Sequence, residues 1–135
     1  MHPFQLSSID HVAIRVADIK ASVEWYESVL GLKKVAPKEW QPYPIFMMQA
    51  KFGVALFPAR IRDPQLDTHS KNVKIDHFAF NVTKEAFQKA QVHFQKIGIP
   101  FEFQDHHYFH SIYLNDPDGH TVELTTLVKG ENIFD

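Results

Sequence analysis

The sequence predicts an α+β fold built from two tandem βαβββ modules. The main observation is a repeated stretch, which reads IDHVAIRV at 9–16 and IDHFAFNV at 75–82. Both copies alternate in polarity, as half-buried strands do. The two histidines are 66 residues apart (77 − 11), and two later glycines, Gly31 and Gly98, are 67 apart (98 − 31). A repeat this regular indicates two modules of the same kind.

The first module is predicted to span 8–58. After its first strand, Asp18 is a good helix N-cap, and Gly31 ends the helix. The apolar positions recur at helical spacing, at Ile19, Val23, Tyr26 and Leu30. Three strands are then expected, at 32–40, 43–50 and 52–58, because turn residues separate these apolar runs.

A polar linker is predicted at 59–72, and the second module at 73–128 repeats the order. Its first strand covers 74–82, Thr83 caps a helix, and Gly98 ends that helix. The expected buried stripe of the helix is Phe87, Ala90, Phe94 and Ile97. Strands are expected at 99–104, 109–115 and 120–127, with a tight turn at Asp-Pro-Asp-Gly 116–119 before the last. We expect residues 1–135 to form a single domain.

Composition excludes several classes of function. The chain has no cysteine, so disulfides, thiolate zinc sites and cysteine nucleophiles are excluded. The net charge of −2 is not that of a nucleic-acid-binding protein. The chain also has no run of Lys and Arg of the kind that binds membrane surfaces. No apolar stretch approaches the ~20 residues of a membrane helix, so we expect a cytoplasmic protein. Nine histidines and twelve phenylalanines supply ligands and aromatic surface.

Alternation predicts where the chemistry lies. His11 faces away from Val12 and Ile14, and Glu123 faces away from its apolar neighbours in the last strand. If the two sheets face each other, His11, His77 and Glu123 can converge in a cleft. Two imidazoles and a carboxylate suit a divalent first-row metal, with Fe(II) favoured and Mn(II), Ni(II) or Zn(II) also acceptable.

The chain resembles the vicinal oxygen chelate superfamily over about residues 8–128. Its relatives include glyoxalase I, methylmalonyl-CoA epimerase, extradiol dioxygenases, fosfomycin-inactivating enzymes and metal-free bleomycin-binding proteins. The resemblance rests on Ile9-Asp10-His11, Val29-Leu30-Gly31-Leu32, Ile75-Asp76-His77 and Tyr113-x-x-Asp116-Pro117-Asp118-Gly119-x-x-x-Glu123.

This resemblance implies a glyoxalase-like fold, in which the modules form a cupped mixed sheet around a metal-binding cleft. It implies that His11, His77 and Glu123 are the metal ligands, that the substrate is a small molecule with vicinal oxygens, and that the protein is a homodimer. A fourth family ligand is replaced here by Ala55, which cannot ligate. A glyoxalase-like lyase or isomerase therefore fits less well.

Extradiol-type oxygenation of a catechol-like compound is the reaction we favour from the sequence. Tyr113 and Glu123 match the spacing of the dioxygenase signature, and His106 is its upstream histidine, so both Tyr113 and His106 are expected to be catalytic. His107 is the alternative to His106. Two features depart from the signature: Gln104, and the lack of a histidine within 51–57.

A thiol transferase of the fosfomycin type is the next alternative. Ser111 matches that pattern, whereas Ala13 stands where these enzymes place a threonine. They also need a cation after the glutamate to hold the phosphonate, and Lys129 is the only cation there. We therefore rank the fosfomycin-type transferase below the dioxygenase.

The other class of hypothesis is a metal-free protein that sequesters a small aromatic molecule, as bleomycin-type binders do. The His-His-Glu set argues against it. Aligning the two copies of the repeat at equal spacing places Ile45 and Met47 at the positions of Tyr113 and its neighbour, on the cleft side with Ala55 and Phe57. Under either hypothesis the expected substrate-binding residues are Ile45, Met47, Ala55, Phe57 and Ser111. Asp10 and Asp76 are expected to fix strand ends.

Overall fold

A computed structural model describes residues 2–130 and residue 134. The chain divides into two compact units, the first ending at Asp63 and the second beginning at Pro64. Over the described residues there are two α-helices and eight strands in two four-stranded mixed sheets, so the predicted α+β fold with tandem βαβββ modules is confirmed. That the units form one domain stays a prediction.

The first unit has the order strand, helix, strand, strand, strand. Its elements are β1 (His11–Val16), α1 (Ile19–Leu30), β2 (Lys33–Val35), β3 (Ile45–Gln49) and β4 (Phe52–Pro58). The strand order is β1-β4-β3-β2; β1 runs parallel to β4, and the other pairs are antiparallel. The predicted second strand at 32–40 is too long, because a 3₁₀ turn at Lys38–Trp40 replaces its end.

Helix α1 begins and ends where the sequence predicts. The Asp18 side chain accepts a hydrogen bond from the Ala21 N–H at 3.1 Å, and Gly31 ends the helix at φ 71°. The predicted stripe is only partly right: Tyr26 is buried, but the other fully buried side chains are Ser22 and Val29. Ser22 is fully buried although it is polar, so a search for apolar residues misses it.

The second unit repeats this topology. Its elements are β5 (Phe78–Asn81), α2 (Lys84–Ile97), β6 (Glu102–Asp105), β7 (Phe109–Asn115) and β8 (Thr121–Leu127). The strand order is β5-β8-β7-β6, with β5 parallel to β8. The match to the first unit, strand for strand, confirms the repeat.

Helix α2 is capped as predicted by Thr83, whose hydroxyl accepts from the Ala86 N–H at 3.0 Å, and by Gly98. Phe87 and Phe94 are buried, whereas Ile97 is 42% exposed, so the predicted stripe loses its last member.

Within the described part of the chain, no helix has the length and apolarity that crossing a membrane requires.

The register of the second sheet decides which side chains share a face. Tyr113 pairs with Glu123, and Ser111 pairs with Thr125, in β7 and β8. Directly opposed residues lie on the same face of a sheet. Tyr113, Ser111 and Glu123 therefore point to one side, as predicted, while Val122 and Leu124 point to the other.

The register of the first sheet overturns one prediction. Ala55 pairs with Ala13 in β1 and with Phe46 in β3, so Phe46 shares the face of His11. Ile45 and Met47 lie on the opposite face, away from Ala55 and Phe57. Their predicted placement on the cleft side is wrong, because the turn before β4 is shorter than its counterpart in the second unit.

Candidate metal centre and substrate pocket

The core of the candidate site is the pair His77 and Glu123. His77 directly precedes β5, and its Nε2 lies 3.1 Å from Oε2 of Glu123 on β8. Glu123 is only 5% exposed. Two ligands that each lie about 2.1 Å from a metal, at right angles, are about 3.0 Å apart. The observed separation and donor types therefore suit two neighbouring ligands of one divalent ion.

The other ring nitrogen of His77 is held by the preceding residue. Its Nδ1 lies 2.8 Å from Oδ2 of Asp76. The hydrogen bond with His77, and next the charge of Lys71, lower the pKa of the Asp76 carboxyl below its usual value. The carboxylate is thus kept ionised, and it orients the imidazole.

Tyr113 connects this pair to His106. Its hydroxyl donates to Oε1 of Glu123 at 3.1 Å, and Nε2 of His106 lies 2.9 Å from the same hydroxyl. Because the phenol has one proton, which Glu123 accepts, the network assigns the second proton to His106 Nε2–H. Partial burial, and then the bond to Glu123, raise the pKa of the Tyr113 phenol.

The structure separates the two adjacent histidines of the β6–β7 loop. His106 reaches Tyr113, whereas the Nδ1 of His107 lies 3.1 Å from the Lys129 ammonium. His107 also has a left-handed backbone, with φ 71°, which turns the chain after His106. Of the two histidines, His106 is therefore the one that contacts Tyr113, and its catalytic role stays a prediction.

A pocket of about 780 Å³ opens beside His77, entirely within the second unit. Its floor is the polar face of the sheet, with Tyr113 among the contributors, and its wall is the segment before β5. The lining residues are Thr68, His69, Lys71, Lys74, Asp76, His77, Pro100, Phe101, Glu102, Gln104, Tyr113, Asn115 and Thr121.

Two lysines of this wall change the electrostatic argument made from the sequence. Lys74 is fixed by donating to the Thr68 carbonyl at 2.8 Å, and the Lys71 ammonium lies 3.9 Å from Asp76 Oδ1. The sequence argument looked for a cation after Glu123 and found only Lys129. The cations beside the pocket, Lys71 and Lys74, instead come from before β5, and they share the lining with the carboxylates of Asp76 and Glu102.

Sequence comparison now identifies the family. The profile of the Glyoxalase/Bleomycin resistance protein/Dioxygenase superfamily matches residues 8–124. The chain belongs to this superfamily. The tandem modules are accordingly those of the glyoxalase-like fold.

Relatives within the superfamily include thiol transferases. The chain is 28% identical over 122 residues to the glutathione transferase FosA of Serratia marcescens, covering 88% of this chain and 80% of that protein. It is 26% identical over 125 residues to the metallothiol transferase FosB of Lysinibacillus sphaericus, covering 90% and 83%. The crystal structure of a glyoxalase/dioxygenase from Nostoc punctiforme superposes with a TM-score of 0.79 at 20% identity, covering 96% and 97%, which shows the shared fold.

The first unit has the repeat counterpart of this site, but without the glutamate and the tyrosine. The Nδ1 of His11 lies 2.7 Å from Oδ1 of Asp10, and the imidazole meets the Phe46 ring edge-to-face at 4.8 Å. Ala55, at the position equivalent to Glu123, is fully buried. The superfamily ligand role of His11 stays a prediction.

The remaining predicted substrate contacts also stay predictions. Ser111 is buried on the Tyr113 face and donates to the Thr125 hydroxyl at 3.2 Å. Phe57 lies on the His11 face under the guanidinium of Arg15, at 5.2 Å from its ring centre. Each of the two residues lies on the same face of its sheet as the predicted metal ligand of its own unit.

Sequence reasoning did not single out one further group of ligand-type side chains. Asp116, Asp118 and His120 bring a ligand atom each within 4.8 Å of one another. Oδ1 of Asp116 accepts the backbone N–H groups of Asp118 and His120, at 3.0 and 2.9 Å. The Asp-x-Asp-x-His spacing was the available signal. These hydrogen bonds explain the first carboxylate as a turn former.

Proposed function

We propose that this protein is a divalent-metal-dependent enzyme that joins a thiol to a small electrophile carrying an anionic group. The observation that carries the proposal is the His77–Glu123 pair, 3.1 Å apart beside a pocket walled by Lys71 and Lys74. The transferase names of two relatives, FosA and FosB, support the same reaction class.

His77 and Glu123 would hold the metal, and His11 is proposed as the third ligand from its repeat position alone. A bound divalent ion supplies Lewis acidity toward a substrate oxygen. Mn(II), Ni(II) and Zn(II) accept two imidazoles and a carboxylate, as does Fe(II).

The proposed reaction is ring opening of an epoxide by a thiol. A carbon–sulfur bond forms, the adjacent carbon–oxygen bond breaks, and the thiol proton ends on the released oxygen. Tyr113 would donate to that oxygen in place of Glu123 Oε1, which accepts its single hydroxyl proton at 3.1 Å, while His106 Nε2 stays on the phenol oxygen. Lys71 and Lys74 are the groups that would hold the anionic end of the substrate.

Extradiol-type oxygenation, which the sequence favoured, becomes the second candidate. The hydrogen bond between His106 and Tyr113 at 2.9 Å supports it, because such a pair can move a proton on a catechol ring. Strand β4, however, has no histidine that could serve as the acid–base residue of those enzymes. We rank lyase or isomerase activity, and metal-free binding, below both the transferase and the oxygenase.

An assay of paired substrates separates the candidates. Protein loaded with Mn(II) would be mixed with glutathione and fosfomycin, a phosphonate epoxide, and the loss of free thiol followed. Protein loaded anaerobically with Fe(II) would be given catechol and then oxygen, and ring cleavage followed by absorbance. Glu123→Ala is the control in each arm.

Thiol consumption that needs metal, fosfomycin and Glu123 is the expected result. Ring cleavage without thiol transfer would replace the proposal with the oxygenase. Failure of both reactions, with tight binding of a small aromatic compound by metal-free protein, would favour the binding-protein hypothesis.

A homodimer and a cytoplasmic location also remain predictions. The resemblance to the superfamily suggests the first, and the composition suggests the second. Sedimentation equilibrium of the purified protein would test the dimer, and a single species of 15.7 kDa, the mass of one chain, would exclude it.

A further inference from the structure

Both units place an aspartate against the same nitrogen of the histidine that follows it. Asp10 Oδ1 lies 2.7 Å from Nδ1 of His11, and Asp76 Oδ2 lies 2.8 Å from Nδ1 of His77. Two copies of the same short hydrogen bond, in separate units, are independent observations. In each case the Nδ1–H donates to the carboxylate, which leaves Nε2 as the atom that faces away from the aspartate.

We propose that Asp10 and Asp76 are positioning residues, which fix the imidazoles of His11 and His77 so that Nε2 is presented to the metal. This inference rests on the proposed function, because it takes both histidines to be ligands. The sequence had suggested a different role, that of fixing strand ends. The hydrogen bonds above assign the two carboxylates to the histidines instead.

The strand-end role is filled by other groups. At Asp10 the backbone carbonyl, not the side chain, receives the Gly53 N–H at 3.1 Å. The side chains of Asp10 and Asp76 are 74% and 59% exposed, so packing does not hold them. The exposed Asp76 carboxylate has two lysines near it, Lys71 at 3.9 Å and Lys74. Among the described residues, the short side-chain bond that each carboxylate makes is the one to the imidazole.

His77 needs such a restraint because of where it lies. Strand β5 begins at Phe78, so His77 lies just outside the strand. Its ring is held at Nδ1 by Asp76 and faces Glu123 through Nε2. Without Asp76, rotation about the side-chain bonds would carry Nε2 away from Glu123 at little cost. Carboxylates that hold ligand histidines in this way typically contribute about 10- to 100-fold in metal affinity.

The test compares Asp76→Ala, Asp76→Asn and Asp10→Ala with the native protein. Manganese and zinc affinities would be measured by competition with a chelator, and thermal unfolding of the metal-free proteins would be recorded in parallel. Glu85→Ala is the matched control, since Glu85 is an exposed carboxylate that pairs with Lys89 on α2 at 2.8 Å. A readout without metal is the downfield imidazole N–H proton, which a bond to a carboxylate protects from exchange.

We expect each alanine variant to bind metal about 10- to 100-fold more weakly and to lose one protected imidazole proton. Asp76→Asn should recover part of the affinity, because the amide oxygen still accepts from Nδ1–H. Unfolding temperatures should not change. Native affinity in both alanine variants, or no rescue by asparagine, would overturn the positioning role.

Failure of the proposed function would look different. In that case the native protein and His77→Ala would show the same metal affinity, and the positioning role would fall with it. If native protein binds metal, His77→Ala does not, and Asp76→Ala equals native, only the positioning role is wrong.

Discussion

Phe46 holds, in the first sheet, the position that Tyr113 holds in the second. Phe46 pairs with Ala55, and Tyr113 pairs with Glu123, in matching strands. The ring of each stands edge-to-face with the histidine of its own unit, at 4.8 Å for His11 and 5.8 Å for His77. Both modules therefore have the Asp–His pair, but only the second has the phenol and the glutamate beside it.

Tyr113→Phe should separate stability from chemistry. The substitution removes the hydroxyl that links Glu123 and His106, which should cost about 0.5–1.5 kcal/mol of unfolding free energy. Metal content should stay at the native level, while turnover falls. Urea unfolding and the thiol assay measure the two effects. Tyr43→Phe, at an exposed tyrosine, is the control, and equal turnover in the two variants would remove Tyr113 from the mechanism.

The Tyr113 phenol should ionise at a higher pH than a free tyrosine. Its pKa is raised in the folded state by partial burial and by Glu123, so the fold favours the protonated form. This contribution to stability is present below pH ~10 and is lost as pH rises through the folded pKa. The ring carbon next to the hydroxyl, assigned with Tyr113→Phe, would report the titration by NMR. A midpoint at or below that of free tyrosine would contradict the hydrogen bond to Glu123.

Lys71→Gln and Lys74→Gln should weaken binding of the anionic substrate. Both lysines line the pocket, Lys71 exposed and Lys74 half-buried, so each change should raise KM for fosfomycin by about two- to fivefold. The effect should shrink at high salt, which screens exposed charges. Lys89→Gln, on α2, is the matched control. An unchanged KM in the double variant would mean that the anion lies elsewhere.

Gly53→Ala should destabilise the first unit more than Gly31→Ala does. A Cβ at residue 53 would run into the Met47 carbonyl oxygen and would lie 2.8 Å from the Met48 sulfur. Such overpacking costs about 1–3 kcal/mol, to which the displaced backbone adds. A Cβ at residue 31 meets nothing within 4 Å, and only its φ of +71° carries a penalty. Urea unfolding of both variants measures the difference; equal losses would contradict the close approach.

The sequence was a reliable guide wherever a local signal was sufficient. Both ends of both helices were predicted, because capping depends on a few neighbouring residues. The caps are Asp18 and Gly31 for α1, and Thr83 and Gly98 for α2. The strand at Phe109–Asn115 was predicted to the residue, since a strong turn follows it. The edge strands β2 and β6 were predicted poorly, because all their side chains are exposed and no alternation of polarity marks their ends.

The error at Ile45 and Met47 has a geometric cause. Glu123 and its partner Tyr113 are ten residues apart, whereas Ala55 and its partner Phe46 are nine apart, because only Ala50 and Lys51 connect β3 to β4. A shift of one residue moves every side chain of a strand to the other face. An alignment at equal spacing therefore selected the wrong face, and only the register reveals it.

The side-chain contacts around Glu123 could not be predicted from the alternation of polarity either. Alternation predicted that Tyr113 and Glu123 share a face. It gave no sign that His106, from the loop after β6, reaches the same hydroxyl. Nor did it point to Lys71, which lies in the predicted linker at 59–72, or to Lys74, which lies at the start of the predicted strand at 74–82. Loops place side chains by tertiary contacts, which periodicity does not encode.

The most direct test of the central claim is the metal content of native protein and of His77→Ala, both purified anaerobically and analysed for elements. We predict close to one divalent ion per chain in the native protein and a large loss in the variant, with the folded state retained. Manganese, nickel or zinc would fit the transferase, and iron would favour the oxygenase. Native protein that takes up no metal after reconstitution, or a variant that holds as much as native, would contradict the assignment of His77 and Glu123 as ligands.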